Sequence, residues 1–199
     1  IEAGPRAAEL ASLEAYVPTP APANAVRLDA NESPHELPAE ARELLARSLA
    51  EVALHRYPDV RAGRLRELVA AREGVRPEQI VFGSGSDEAI ALVLGALARP
   101  RAGRAQAAVL FPDPSFVMFR VSALVQGLRP VAVPLDDGWD LDVPAFEAAL
   151  AEERPNVVFL PSPNNPTGNL FARARVERVL AAAGDALVIL DEAYGAYSG

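Results

Sequence analysis

The chain contains no cysteine and no lysine. The first absence excludes disulfides, thiolate metal sites and thiol nucleophiles. The second makes all 19 basic side chains arginines. It also removes Schiff-base chemistry from these residues, because that chemistry needs a side-chain amine. Positive charge is in deficit: 27 acids against 19 bases leave a net charge of −8. A nucleic-acid-binding domain normally carries the opposite, basic footprint, so no nucleic-acid partner is expected. A local basic pocket for a small anion remains compatible with this balance. Only two histidines occur, His35 and His55, without metal-ligand spacing, and no metal site is expected. The longest strongly apolar run, Ala89 to Ala98, has about half of the roughly 20 residues that a bilayer-spanning helix needs. No basic, apolar and small-residue leader opens the chain. A soluble cytoplasmic protein without membrane partners is the expectation.

What is present is enough apolar material for one sizeable core: 50% of the 199 residues are hydrophobic. Aromatics are few, so Leu, Val and Ala must supply most of the packing. The spacing predicts a short helix over Pro5–Tyr16, a brief strand or extended arm at Val26–Leu28, and a helix over Ala39–Leu49 with Pro38 in its first turn. Arg56–Asp59 reads as a loop. Arg61–Arg72 reads as an amphipathic helix with Leu65, Leu68 and Val69 on one face. The pattern then changes. Five apolar strands are predicted at Gln79–Phe82, Ala107–Phe111, Arg129–Pro134, Asn156–Leu160 and Ala186–Leu190. Helices are predicted between them, at about Ser86–Leu97, Phe116–Val125, Asp142–Ala151 and Arg173–Ala183. Strands alternating with helices indicate an α/β fold with a mostly parallel sheet and flanking helices. The junction between an N-terminal arm or subdomain and the sheet domain is expected between residues 35 and 60.

Ligands of open α/β sheets bind beyond the carboxyl ends of the strands, and four polar segments fall there. Gly83-Ser84-Gly85-Ser86-Asp87-Glu88 joins a strand to a helix. Its glycines and free amides suit an anion, and they also suit an ordinary tight turn with a good cap. It matches neither a Walker loop nor a dinucleotide fingerprint. In Asp113-Pro114-Ser115-Phe116, Phe116 offers a ring that could stack on a flat ligand or, with Phe119, simply fill the core. Pro161-Ser162-Pro163-Asn164-Asn165-Pro166-Thr167-Gly168 is a rigid polar loop that holds the Asn165 amide in a defined direction. In Asp191-Glu192-Ala193-Tyr194, Asp191 follows an apolar strand. Its carboxylate is expected to be partly buried and to need a partner such as a protonated ring nitrogen. The alternative is a helix N-cap.

In this order and spacing the four segments resemble the fold type I pyridoxal-phosphate aminotransferases. Leu28-Asp29-Ala30-Asn31-Glu32-Ser33-Pro34, Arg56-Tyr57-Pro58-Asp59 and Gly85-Ser86-Asp87-Glu88-Ala89-Ile90 narrow the resemblance to the histidinol-phosphate branch. It covers the chain from about residue 25 onward. The resemblance implies residues 1–40 as an N-terminal arm with part of the small domain, and residues 41–199 as the first part of the large cofactor-binding domain. It implies that Asp191 binds the pyridine nitrogen of pyridoxal 5'-phosphate, that Asn165 and Tyr194 bind its phenolic oxygen, and that the amides of Ser86 and Asp87 hold its phosphate. Phe116 would stack on the ring, where the family usually has tyrosine. Tyr57 would reach the cofactor phosphate of a partner subunit in a homodimer. Asn31 and Glu32 would lie near the substrate. Ser33-Pro34 replaces the more usual Asn-Pro.

The implied reaction moves an amino group between histidinol phosphate and 2-oxoglutarate, in histidine biosynthesis. Its catalytic lysine and substrate-binding arginines would follow the Asp-Glu-Ala-Tyr segment. These 199 residues alone are therefore expected to be inactive, poorly folded and prone to aggregate, as the first part of a longer enzyme. Alternatives are an aminotransferase for aromatic amino acids, a lyase similar to threonine-phosphate decarboxylase, a noncatalytic relative with the same fold, and a nucleotide-binding α/β domain. The retained Asn165, Asp191 and Tyr194 argue against the noncatalytic relative. The missing glycine patterns argue against the nucleotide-binding domain.

Overall fold

The computed structural model describes residues 22, 24–26, 28 and 31–198. The predicted helix over Pro5–Tyr16 lies outside them, as do Arg27 of the predicted arm and Asp29 and Ala30 of the first motif. The chain divides into two compact units, with described residues up to Val81 in one and from Phe82 onward in the other. This division is by compactness. The expected one at residue 40 is by membership of the family's small and large domains, a different criterion.

In the first unit, helix α1 spans Ala39–Ala50 and α2 spans Gly63–Glu73, followed by a 3-10 turn at Pro77–Gln79. Pro38 occupies the cap of α1, one position before the first turn expected for it. The start of α2 is organised by Asp59. Its carboxylate accepts the Gly63 amide at 2.7 Å and the Arg61 amide at 3.0 Å. Those bonds, the Gly63 one foremost, hold its pKa below the ordinary carboxylate range. The apolar face predicted for α2 is only partly covered: Leu65 and Leu68 are 52% and 62% exposed, Val69 is half-buried, and Ala70 is the helix's buried residue. Periodicity identified the helix correctly, but burial also needs a second apolar layer over that face.

The second unit is a four-stranded, wholly parallel sheet among the described residues, of order β2-β1-β3-β4. Its strands are β1 Ala108–Asp113, β2 Arg129–Pro134, β3 Val157–Pro161 and β4 Leu187–Asp191. Helix α3, Gly85–Leu97, precedes β1, and the connecting helices are α4 Met118–Val125, α5 Val143–Glu153 and α6 Arg173–Ala182. Side chains alternate between the two faces of a strand, and both faces here are apolar. On one, Val109, Phe111, Val157 and Phe159 meet Ile90 and Leu94 of α3 and Phe119 and Ala123 of α4. On the other, Leu110, Val158 and Leu160 meet Phe146 and Leu150 of α5 and Val179 of α6. Full burial of each large side chain contributes about 1.5–3 kcal/mol, so the central strands β1 and β3 carry most of the unit's cohesion. This explains why they read in sequence as continuous apolar runs.

The predicted first strand, Gln79–Phe82, is not one. Gln79 closes the 3-10 turn, and residues 80–82 pair with no described strand. Ile80 has extended backbone angles (φ −106°, ψ 132°), so the local preference is present. What is absent is a neighbouring ladder, and a strand exists only through one. Val81 is correspondingly 79% exposed.

The link from β2 to α5 is a small hairpin closed by an antiparallel bridge between Leu135 and Leu141. Asp136 accepts the amides of Gly138 and Asp140, each at 2.9 Å, and pairs with Arg175 of α6. Asp142 caps α5 as expected, accepting the Ala145 amide at 3.1 Å. The Arg175 guanidinium is the main cause that lowers the Asp136 pKa, with the two amides adding to it. A depressed folded pKa means that the stability this carboxylate adds is complete above its ordinary value of 3.8 and is lost as pH falls through the lower folded value. Asp136→Asn should therefore lower the thermal midpoint of the complete protein at pH 7, and the gap to the parent should shrink as pH falls below about 4. Melts of both proteins across that range check this; a gap independent of pH would contradict it.

Candidate functional site

The chain leaves β1 for β2 on one side and returns for β3 on the other, so the strand order reverses between β1 and β3. At such a switch point the connections diverge and leave a crevice at the carboxyl ends of the strands. A cleft of about 80 Å³ lies there, lined by Ser86, Phe116, Asn165, Asp191 and Tyr194 together with Pro161, Pro163 and Ala193. Five of the residues singled out in the sequence thus come together from four separate stretches of chain.

Each is delivered by a distinct local device. Gly85 opens α3 at φ +81°, a conformation that L side chains rarely adopt, and a Cβ built on it would meet nothing within 4 Å. The turn is capped by Glu88, whose carboxylate accepts the Ser84 amide at 2.5 Å. That bond organises the turn, and Ser86 lines the cleft. Asp87, one residue on, does not line it.

The two rings of the aromatic pair take different places. Phe119 is fully buried, stacked on Phe159 with ring centres 4.5 Å apart. Phe116 lines the cleft and rests edge-on against Phe119 at 5.7 Å and 90°. The ring available to a ligand is thus braced by the core.

The Asn165 loop is tied at several points. The Gly168 amide donates to the Asn164 carbonyl at 2.7 Å, in a turn where Gly168 has φ +74°. The Phe171 amide donates to Ser162 Oγ at 3.2 Å, and Asn169 Nδ2 donates to the Trp139 carbonyl at 2.9 Å. The Ser162 amide donates to the Asp191 carbonyl at 2.9 Å, joining the ends of β3 and β4. Asp191 is half-buried, as expected, and among the described residues a 3-10 turn follows it. The N-cap alternative is replaced by a local turn in which Asp191 Oδ1 accepts the Ala193 amide at 3.1 Å. Tyr194 precedes a 3-10 turn at Gly195–Tyr197.

This donor set fits a flat heterocycle bearing a cation on one edge and a phosphate on another. A carboxylate sits at a strand end, a carboxamide and a phenol lie nearby, an aromatic face lines the wall, and a helix start with open space at Gly85 supplies amides. Asn31, Glu32 and Tyr57 belong to the other compact unit. Asn31 has φ +53°, Glu32 is exposed, and Tyr57 is 99% exposed. Sequence reasoning missed Pro161, Pro163 and Ala193 as lining residues, and it assigned no role to Asn164. Their positions within the two motifs were the available signal. Among the described residues no His, Cys, Asp and Glu cluster could hold a metal, and no helix is long and apolar enough to cross a membrane.

The chain belongs to the aminotransferase class I and II family, whose model matches residues 23–199. It is 45% identical over 190 residues to histidinol-phosphate aminotransferase of Paracidovorax citrulli, covering 94% of this chain and 50% of that protein. It is 44% identical over 193 residues to histidinol-phosphate aminotransferase 2 of Bordetella bronchiseptica, covering 96% and 51%. The chain thus spans about half the length of the curated relatives it matches. Among solved structures, a putative histidinol-phosphate aminotransferase from Erwinia carotovora superposes with a TM-score of 0.75 at 27% identity, over 87% of this chain and 49% of that one. Histidinol-phosphate aminotransferase from Sinorhizobium meliloti, in complex with pyridoxal-5'-phosphate, gives 0.66 at 27%, over 76% and 40%.

Proposed function

We propose that the complete protein is a pyridoxal-phosphate-dependent aminotransferase that exchanges an amino group between histidinol phosphate and 2-oxoglutarate in histidine biosynthesis. The observation that carries the reading is the convergence of Ser86, Phe116, Asn165, Asp191 and Tyr194 on one cleft at the sheet's switch point. The similarity to histidinol-phosphate aminotransferases supports the choice of substrate.

Pyridoxal phosphate, when bound, supplies an electron sink for the substrate carbon that loses a proton. The chain's own residues bind and orient. The Asp191 carboxylate accepts the proton-bearing edge of the ring and keeps it charged. Asn165 and Tyr194 hydrogen-bond the phenolic edge. The amides of Ser86 and Asp87, at the start of α3, take the phosphate, where the helix dipole favours negative charge. Phe116 covers one face of the ring and excludes water there. It lacks the hydroxyl that the family's tyrosine would add. Asn31 and Glu32 serve the substrate side. Tyr57 completes the phosphate site of a partner subunit, making the working form a homodimer. Residues 1–40 act as the N-terminal arm with part of the small domain, and residues 41–199 as the beginning of the large domain. The protein works in the cytoplasm without nucleic-acid partners.

The complete protein supplied with pyridoxal phosphate should use histidinol phosphate with kcat/KM about 10⁴-fold above that for phenylalanine, since a site built to pair a polar group discriminates strongly against substrates without one. Parallel steady-state assays check this. A preference for phenylalanine would move the protein to the aromatic aminotransferases. Absence of both cofactor binding and transamination would remove the proposal.

A further inference from the structure

The Asn-Asn pair beyond β3 divides its work. Asn165 lines the cleft, whereas Asn164 is 1% exposed. We propose that Asn164 is a positioning residue that locks the two walls of the cleft, the Phe116 turn and the Asn165 loop, into one arrangement. As a device for orienting the cofactor, it rests on the function proposed above.

The bonds around Asn164 set it apart from an ordinary turn residue. Its own loop is satisfied locally: the Asn164 amide donates to the Asn169 carbonyl at 2.9 Å, and its carbonyl accepts the Gly168 amide at 2.7 Å. The side-chain Nδ2 makes two further donations. One is local, to Thr167 Oγ1 at 2.7 Å. The other crosses to the Pro114 carbonyl at 3.1 Å, fifty residues away in sequence. A turn has no need of that second bond. Pro114 stands two residues before Phe116, whose carbonyl accepts the Phe119 amide at 3.2 Å as α4 begins. One primary amide, with its two protons used in two directions, therefore joins the segment carrying the ring-facing phenylalanine to the segment carrying Asn165.

Chemistry restricts which residue can do this. The position needs two donors on one planar group, which Ser, Thr and ionised Asp lack. An apolar side chain would leave the Pro114 carbonyl without this donor in a part-buried place, and an unmade buried bond costs more than a made one gains. The position also carries a cost of its own: Asn164 Oδ1 is buried and has no hydrogen-bond partner among the described residues.

The test uses the complete protein and three variants, Asn164→Ala, Asn164→Ser and Thr167→Val. Hydrogen exchange of the cofactor-free proteins is followed on peptides covering residues 114–120 and 162–169, and pyridoxal phosphate is then titrated with circular dichroism in its visible band. In Asn164→Ala both peptides should exchange at least tenfold faster, cofactor affinity should fall at least tenfold, and the visible dichroism should shrink. Thr167→Val keeps the Pro114 bond, so only the 162–169 peptide should quicken. Should Asn164→Ala fail to fold, Asn164→Ser supplies the same comparison. The inference is overturned if the 114–120 peptide keeps the parent rate in the Asn164 variants while 162–169 quickens, or if affinity and dichroism stay at parent values. If the parent itself binds no pyridoxal phosphate, the proposed function fails. The exchange of the two peptides then decides the coupling alone, joint acceleration upholding it and independent behaviour overturning it.

Discussion

Asp191→Asn should lower kcat/KM for transamination by the complete protein about 10²–10³-fold while leaving its fold nearly untouched. Asparagine is isosteric and keeps the oxygen that accepts the Ala193 amide, so the turn after β4 survives. The negative charge does not survive. Truncating one side of a desolvated, hydrogen-bonded charge pair costs about 2–5 kcal/mol, and each 1.36 kcal/mol is a factor of ten in rate. The loss should appear in kcat as well as in cofactor affinity, because the charge matters most while the ring accepts electron density. Steady-state kinetics at saturating pyridoxal phosphate, beside a thermal melt, separate the two effects. A variant with the parent rate would remove Asp191 from the proposed role. A variant with a collapsed melting temperature would make the residue structural first.

The second large effect is on stability. Phe119→Ala should destabilise the complete protein by about 3–5 kcal/mol, the usual range for emptying a buried phenylalanine site. Phe119 is fully buried and is the hinge of an aromatic chain, stacked on Phe159 and tilted against Phe111 at 6.2 Å. Its ring also backs Phe116, so cofactor affinity should fall together with stability. Phe119→Leu refills most of the volume and should recover most of the stability, but not the edge-on support. Denaturant midpoints and cofactor titrations of the two variants check this. A stable Phe119→Ala protein with unchanged affinity would contradict it.

The sheet core was legible because β1 and β3 are buried on both faces. Runs such as Val157–Leu160 have no polar side to disguise them, and β2 matches its predicted limits at both ends. Site residues were legible for a different reason. Asn165, Asp191 and Ser86 each sit beside a proline, a strand end or a glycine that restricts the backbone, so chemistry and conformation pointed the same way. Asn164 escaped notice because its importance lies in a bond to Pro114, and a contact across fifty residues leaves no local signal. The same limit misplaced Gln79–Phe82, whose side chains suit a strand that has no described ladder to join, and the apolar face of α2, whose leucines are more than half exposed.

Taken alone, the sequence determined the α/β class, the identity of nearly every helix and strand in the second unit, and the polar segments that reach the ligand edge. Those properties follow from side-chain periodicity, proline and glycine constraints, and the burial demands of apolar runs, all of which act over a few residues. Only the tertiary structure decided the strand order, the division of Phe116 and Phe119 into a cleft-lining ring and a core support, and the burial of Asn164 beside a half-buried Asn165. These depend on which distant segments become neighbours. That choice is made by packing two apolar faces of one sheet at once, which no local stretch of chain encodes by itself.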